Sequence, residues 1–250
     1  MSLMENLEGY YRKQGISSLV IPFQCKHRGD CGRDCEGFVE AQAAFVGVDY
    51  DKCGKGKGLM PRLLFLSLDP GYGNGGPEER SVLGQQRYEK ENYDHATMHK
   101  DKHWYWTHEI ARSLLDQFKP GVRREETCRY FAHTNSAKCC MNKAGKKKAD
   151  WQMFKNCREY IPDEIELFEP DVLITQGDEA AEAIALFPCS KKVGEQKGCG
   201  YAILKVGDRD VLRLRTYHPN QRRGLFALRS QPCVPGWAKI VGEFWRGNFE

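Results

Sequence analysis

Cysteines are grouped in two distant regions of the chain, a pattern that is typical of a metal or cluster site. Six of them fall in two groups: Cys25, Cys31 and Cys35 near the amino terminus, then Cys139, Cys140 and Cys157 beyond the middle of the chain. Sets of four cysteine thiolates hold zinc or an iron-sulfur cluster in proteins. The grouping therefore predicts a site that fastens two distant segments together.

A second set of residues that could take part in catalysis or binding lies where apolar runs end. The run at 63–66 is uninterrupted, as expected of a strand buried on both faces of a parallel sheet, and it gives way to Asp69-Pro70-Gly71. Asn135 ends another apolar run, where its carboxamide could bind a base or another small polar ligand. Because open α/β sheets bind ligands at the carboxyl ends of their strands, both positions are candidate binding sites.

The elements that must position these residues alternate between strands and helices. Strands are predicted at 63–66, 128–133 and 171–176, helices at 104–118, 151–168 with a break around Pro162, and 179–186, and a hairpin joins 201–205 to 211–216. The second hairpin strand leads into Tyr217-His218-Pro219. This alternation is typical of a mostly parallel α/β sheet.

Charge is distributed unevenly along the 250 residues, which are enough for one large domain. The net charge of +4 permits a polyanionic partner without requiring one. Basic residues are concentrated in one predicted loop, which contains Lys138, Lys143, Lys146, Lys147 and Lys148. A solvated loop is the ordinary explanation of such a run, and contact with phosphate is the alternative.

The amino terminus has no features of a secretory signal, since it contains Glu5 and Glu8 and no long apolar stretch. No segment is long and apolar enough to cross a bilayer. We therefore expect a cytoplasmic protein, and a monomer. In that compartment the eleven cysteines are expected to be free, catalytic or metal-bound rather than paired in disulfides.

Three segments taken together resemble the uracil-DNA glycosylase superfamily. They are Leu66-Ser67-Leu68-Asp69-Pro70-Gly71, Thr134-Asn135 with Lys138-Cys139, and Tyr217-His218-Pro219. The last two are most similar to the iron-sulfur branch of that superfamily. The match runs in order from about Cys31 to Arg223, and residues 169–177 support it.

The resemblance implies a three-layer α/β/α fold with a central, mostly parallel four-stranded sheet. It implies one domain over residues 1–250, with a cysteine-rich clip at about 20–55. The expected function is a DNA-repair glycosylase that hydrolyses the N-glycosidic bond of uracil or a related deaminated base flipped out of DNA. The alternative is a catalytically silent nucleic-acid or nucleotide-binding protein of the same fold. A zinc-stabilised hydrolase of a small phosphorylated or amide substrate is a second competitor.

The same resemblance implies roles for particular residues. Asp69 would position water or stabilise the cationic sugar, and His218 would donate a hydrogen bond to the departing base. Asn135 would pair with the edge of the base, with Gly71 and Tyr72 beside it. The residues expected to contact DNA follow the histidine: Arg222, Arg223 and Leu225. A turn with solvated arginines explains those three equally well.

For the metal, the resemblance implies a 4Fe-4S cluster held by four cysteines, and the same ligand type suits zinc. Cys139 and Cys157 match the later pair of the family. The earlier pair has three candidates, from which Cys31 and Cys35 are chosen over Cys25. Cys140 is either a spare thiol or a substitute for Cys139.

The chain departs from the family pattern in its first motif. Leu68 occupies the place of a glutamate in the iron-sulfur branch, and Asp69 precedes the proline as in another branch. Gly71 intervenes before Tyr72, the aromatic expected beside the base. Asp69 before a proline is also typical of a turn in which the carboxylate binds local N–H groups.

Overall fold

The computed structural model describes residues 2–16, 23–55, 60–71, 76–98, 103–143, 148–196, 199–219 and 233–248. In chain order its helices and strands are α1 Leu3–Gln14, β1 Phe38–Val39, β2 Phe45–Val46, β3 Leu63–Ser67, α2 Val82–Met98, α3 His103–Leu115, β4 Phe131–Asn135, β5 Cys140–Met141, α4 Trp151–Cys157, α5 Ile161–Phe168, β6 Val172–Gln176, α6 Asp178–Ala183, β7 Cys189–Gln196, β8 Cys199–Val206, β9 Arg209–Thr216 and α7 Val234–Trp245. Among these residues, no helix has the length and apolar character that crossing a membrane requires.

The main sheet has the strand order β2-β4-β3-β6-β9-β8-β7. Its centre consists of β4, β3, β6 and β9, which run parallel to one another. Antiparallel strands extend it at both edges, β2 on one side and the β8 and β7 strands on the other. The predicted α/β fold with four central parallel strands is therefore confirmed, and the sheet is wider than the prediction.

Alternating side chains of the central strands build one core on each face of the sheet. In β3, Leu63 and Phe65 pack with the apolar residues of α3 and α7, whereas Leu64 and Leu66 pack with those of α1 and α5. Every residue of β3, β4 and β6 is buried, which explains the uninterrupted apolar runs that begin β3 and β6. Burying each leucine contributes about 1.5–3 kcal/mol to the free energy of unfolding. Helices on both faces complete the three layers.

One predicted boundary is wrong. Residues 124–129 form a 3-10 helix, and the strand predicted at 128–133 is β4, Phe131–Asn135, which places Asn135 inside the strand at its end. The predicted break of the helical segment 151–168 around Pro162 is confirmed, since α4 ends at Cys157 and α5 begins at Ile161. Proline is favoured in the first turn of a helix because the N–H it lacks has no partner there.

Candidate active site

The carboxyl ends of the four parallel strands form the edge where the candidate residues lie. Ser67 of β3 is in register with Asn135 of β4, and Gln176 of β6 is in register with Thr216 of β9. Asp69 and His218 each follow a strand end by two residues. The structure thus brings Asp69, Asn135 and His218 to one edge of the sheet, the edge where α/β folds bind ligands.

Asn135 is the most informative of these residues because its side chain has no hydrogen-bond partner in the described part of the chain. The residue as a whole is only 3% exposed. Its amide atoms are not among the buried polar atoms that lack a partner, so they remain accessible to a ligand at the strand edge. The carboxamide offers one acceptor and two donor hydrogens to a ligand at the strand edge.

Asp69 lies in a tight turn that uses only part of its hydrogen-bonding capacity. Its Oδ1 accepts the backbone N–H of Gly71 at 2.7 Å, so the local turn predicted for an aspartate before proline is present. Burial raises the pKa of the carboxyl above the ordinary range of aspartate, and the N–H groups of Gly71 and Ala149 and the charge of Lys148 oppose this rise. The turn and a chemical role are therefore compatible.

Gly71 occupies a left-handed conformation with φ 65°, and a Cβ added there would meet no atom within 4 Å. Its carbonyl oxygen accepts the thiol of Cys140 at 2.6 Å. Cys140 therefore fastens the turn that carries Asp69, a role that the sequence did not predict.

His218 and Leu68 both lie beside Gly177. A Cβ added to Gly177 would lie 2.8 Å from Leu68 Cδ2 and 3.3 Å from His218 Cβ. Gly177 also has a φ of 106°, which side-chain-bearing residues rarely adopt. The absence of a side chain at Gly177 thus allows Leu68 and His218 to approach each other at the strand edge.

A hydrogen-bonded group of four side chains lies on the face of the sheet that packs against α3. Gln176 Oε1 accepts the hydroxyl of Ser67 at 2.5 Å and lies 2.9 Å from His103 Nε2. Ser67 Oγ lies 2.8 Å from His133 Nε2. Since the amide oxygen only accepts, His103 carries a proton on Nε2; since the Ser67 hydroxyl donates to Gln176, it accepts from Nε2 of His133.

These four residues were not predicted to be parts of the site. Ser67 and Gln176 end their strands, and His133 precedes Asn135 by two residues, so strand periodicity places all three on the Asn135 face. That signal was readable in the sequence. The approach of His103 depends on the position of α3, which no local pattern specifies.

A family model described as "Uracil DNA glycosylase superfamily" matches residues 55–230, more than half of the chain. The protein belongs to the uracil DNA glycosylase superfamily. The matched range contains Asp69, Asn135, His218, Cys139 and Cys157, whereas Cys25, Cys31 and Cys35 precede it. No curated protein matches the chain.

A buried ion pair lies on the opposite face of the main sheet. Lys138 is 1% exposed and Glu164 is 0% exposed, and Lys138 Nζ lies 2.6 and 2.5 Å from the two carboxylate oxygens. Thr134 Oγ1 accepts from the same ammonium at 2.5 Å and donates to Glu164 at 2.9 Å, and the Tyr11 hydroxyl also donates to Glu164. The assignment of Lys138 to a solvated loop was wrong, because its partner Glu164 is distant in sequence.

Four thiols of this superfamily member lie close enough to influence one another. Burial raises the pKa of Cys139 well above its usual value, and the neighbouring Cys157, Cys25 and Cys31 raise it further. The pKa of Cys157 rises to about 12, again mainly through burial, while the Lys138 N–H opposes the rise. Cys35 is exposed. The structure therefore gathers Cys25 with Cys31, Cys139 and Cys157, and leaves the predicted ligand Cys35 at the surface.

Hydrogen-bond donors also surround these sulfur atoms. The backbone N–H of Lys138 donates to Cys157 Sγ at 3.3 Å, and Asn156 Nδ2 donates to Cys31 Sγ at 3.4 Å. Cys25 Sγ lies 3.5 Å from the Tyr160 hydroxyl. Within the described ranges, no three Cys, His, Asp or Glu side chains are arranged to hold a single metal ion. The sulfur atoms of Cys31 and Cys157 thus each accept a hydrogen bond.

Several predicted site residues lie outside the described residues: Tyr72, Arg222, Arg223 and Leu225, together with Lys146 and Lys147 of the lysine-rich stretch. Lys143 and Lys148 are exposed. Because Lys148 also acts on the Asp69 carboxyl, Lys148 lies beside the candidate active site.

Proposed function

We propose that this protein is a DNA glycosylase that hydrolyses the N-glycosidic bond of uracil, or of a related deaminated base, after the base is flipped out of DNA. The observation that carries the proposal is the carboxamide of Asn135, which bonds to no described residue and remains accessible on the strand edge that also bears Asp69 and His218. Flipping is required because the glycosidic bond is inaccessible inside the base stack.

Asn135 selects the base in this mechanism. Its carboxamide oxygen accepts the N–H of a uracil-type edge, and its NH₂ group donates to the adjacent carbonyl oxygen. In the free protein the amide bonds to no described residue, so both its acceptor and its donors are available to the base. A base without that donor and acceptor pair would leave the amide unsatisfied, which is the origin of selectivity.

His218 and Asp69 act on the two charged fragments of the reaction. As the bond between C1′ and the base nitrogen breaks, the base departs with the electron pair, and a hydrogen bond from His218 stabilises the negative charge on its carbonyl oxygen. The sugar becomes cationic at C1′, where the Asp69 carboxylate stabilises it and orients water. Addition of this water gives the abasic sugar, and the proton released from water balances the one taken up by the base.

The function is tested by single-turnover assays with uracil-containing single- and double-stranded DNA, measuring abasic sites and DNA binding separately. Abasic sites formed in one turnover are the expected result. Binding without abasic sites would instead favour the catalytically silent alternative. The residue that motivates this alternative is Leu68, which is apolar where the iron-sulfur branch of the family has a glutamate.

Replacement of Asn135 by alanine is expected to lower the single-turnover rate about 10- to 100-fold, because one pair of buried hydrogen bonds worth about 1–3 kcal/mol is lost. The thermal unfolding midpoint is expected to stay close to that of the wild type, since the carboxamide bonds to no described residue. Asn6→Ala on α1 is the matched control and should retain the wild-type rate. A wild-type rate for Asn135→Ala would exclude Asn135 from base recognition.

For the metal, we propose that Cys25, Cys31, Cys139 and Cys157 hold a 4Fe-4S cluster, with zinc as the alternative. The donor set fits, since burial raises the pKa of Cys31, Cys139 and Cys157 and the neighbouring thiols raise it further, which a bound cationic group would offset. The resemblance of Lys138-Cys139 to the iron-sulfur branch favours a cluster over zinc. The cluster would fasten the amino-terminal clip to the 139–157 segment and supply no redox step.

Substitution of single cysteines separates the two possible ligand sets. Cys25→Ser and Cys139→Ser are expected to lose most of the bound iron and the visible absorption of the cluster, whereas Cys35→Ser is expected to keep both. Iron, sulfide and zinc are measured on protein purified without oxygen. If Cys25→Ser kept its iron and Cys35→Ser lost it, the earlier pair of ligands would be Cys31 and Cys35. If the protein contained one equivalent of zinc and no sulfide, the bound group would be zinc rather than a 4Fe-4S cluster.

A further inference from the structure

His103 begins α3 and lies parallel to the ring of His218. The two ring centroids are 5.0 Å apart, and the ring planes differ by 8°. On its other side, His103 Nε2 lies 2.9 Å from Gln176 Oε1 and 3.1 Å from Ser67 Oγ. The imidazole is thus fixed by two strand ends while its face covers His218.

The helix that carries His103 is itself firmly held. Ile110 and Leu114 of α3 are at most 1% exposed and belong to the core on this face of the sheet. Thr107, one turn after His103, accepts the amide N–H of Gln176 at 3.1 Å. The helix that carries His103 is therefore anchored both to the core and to Gln176, which is the support required of a residue that orients another.

We propose that His103 is a positioning residue for His218, holding its imidazole by stacking in the orientation that donates to the departing base. This inference rests on the proposed glycosylase function. His218 follows β9 by two residues and therefore lies outside the hydrogen-bonded strand. The stacked His103 ring lies parallel to its imidazole and restrains its orientation.

The charge states of the neighbouring groups agree with this role. Burial lowers the pKa of His218 to about 3 and that of His103 to about 4, and His103 lowers that of His218 further. The other titratable groups around them are His133 and His108, whose pKa values are also lowered by burial, and Lys138, which acts on His133. All four rings are neutral at pH 7, so the stacked pair forms without charge repulsion.

Two variants of His103 separate stacking from simple support of the fold. His103→Phe keeps a flat ring against His218 but cannot bond to Gln176, whereas His103→Asn keeps a polar group and removes the ring. We expect His103→Asn to lower the single-turnover rate about tenfold with unchanged DNA affinity, as displacement of a reacting group does. His103→Phe is expected to keep most of the rate. Arg112→Ala, on the solvent side of the same helix, is the control.

An NMR titration of the His218 ring in the free protein provides a readout that does not depend on catalysis. In the wild type the ring should stay neutral down to pH 5. In His103→Asn its pKa should rise by about one unit or more toward the ordinary histidine value of about 6.5, because water reaches the uncovered face. His103→Phe should resemble the wild type.

The outcomes distinguish the inference from the function on which it rests. If the wild type releases no uracil, the glycosylase proposal fails while the titration still tests the stacking. If both variants lower the rate equally, or if His103→Asn leaves the His218 titration and the rate unchanged, His103 does not position His218. Loss of folding in His103→Asn is recognised by its unfolding midpoint, and the comparison of His103→Phe with the wild type then decides.

Discussion

Replacement of Asp69 by asparagine is expected to lower the single-turnover rate of uracil release about 10²- to 10⁴-fold, the usual contribution of a positioned catalytic acid or base. The amide removes the negative charge that faces the cationic sugar. Its oxygen can still accept the Gly71 N–H that now bonds to Oδ1, so the turn and the unfolding midpoint should be preserved. Abasic-site formation and thermal unfolding measure the two effects separately.

The pH dependence of the same pair of proteins gives an independent check. The carboxylate is the active form, and burial raises its pKa. The wild-type rate should therefore be constant near neutral pH and fall as the pH drops through the raised pKa of Asp69, at a higher pH than for an exposed aspartate. Asp69→Asn should lack this acidic limb.

Asp210→Asn serves as the matched control, because Asp210 pairs with Lys205 on the β8–β9 hairpin and is half exposed. Its rate and pH profile should equal those of the wild type. A wild-type rate in Asp69→Asn would leave Asp69 as a turn residue only, the ordinary reading of an aspartate before proline.

The part of this site that could be predicted is the part encoded locally. The apolar run at 63–66 predicts a buried parallel strand, and the residues after such strands converge because parallel strands end at one edge of a sheet. Asp69, Asn135 and His218 could therefore be identified as candidate site residues from the sequence. Strand register then fixes Ser67 opposite Asn135.

What could not be predicted depends on pairs that are remote in sequence. The gathering of Cys25 rather than Cys35 with Cys139 and Cys157 follows from how the amino-terminal loop packs, which the spacing of these cysteines to Cys31 does not specify. The stacking of His103 on His218 likewise requires the position of α3 over the strand ends. Composition alone placed Lys138 among solvated lysines, although it is buried against Glu164.

Loss of one member of that buried pair is expected to be the largest stability effect in the protein. Lys138→Met should lower the free energy of unfolding by about 3–5 kcal/mol, because it leaves the Glu164 carboxylate buried without its cation. Glu164→Leu should be comparably destabilising, with the Lys138 ammonium then uncompensated. The measurement is equilibrium unfolding in urea at pH 7 on protein with its metal content determined, so that loss of metal is not counted as loss of the ion pair.

The double variant decides whether charge burial is the cause. With Lys138→Met and Glu164→Leu together, neither charge is buried, so the loss should be smaller than that of either single variant, although Tyr11 and Thr134 lose their acceptor. Additive losses would show that the side chains act independently, through packing alone.

The ion pair also lies next to the candidate site in sequence. Lys138 immediately precedes Cys139, and Thr134, which bonds to both members of the pair, immediately precedes Asn135. The pair therefore holds the segment between Asn135 and Cys139. The double variant should therefore release uracil more slowly even where its stability is restored.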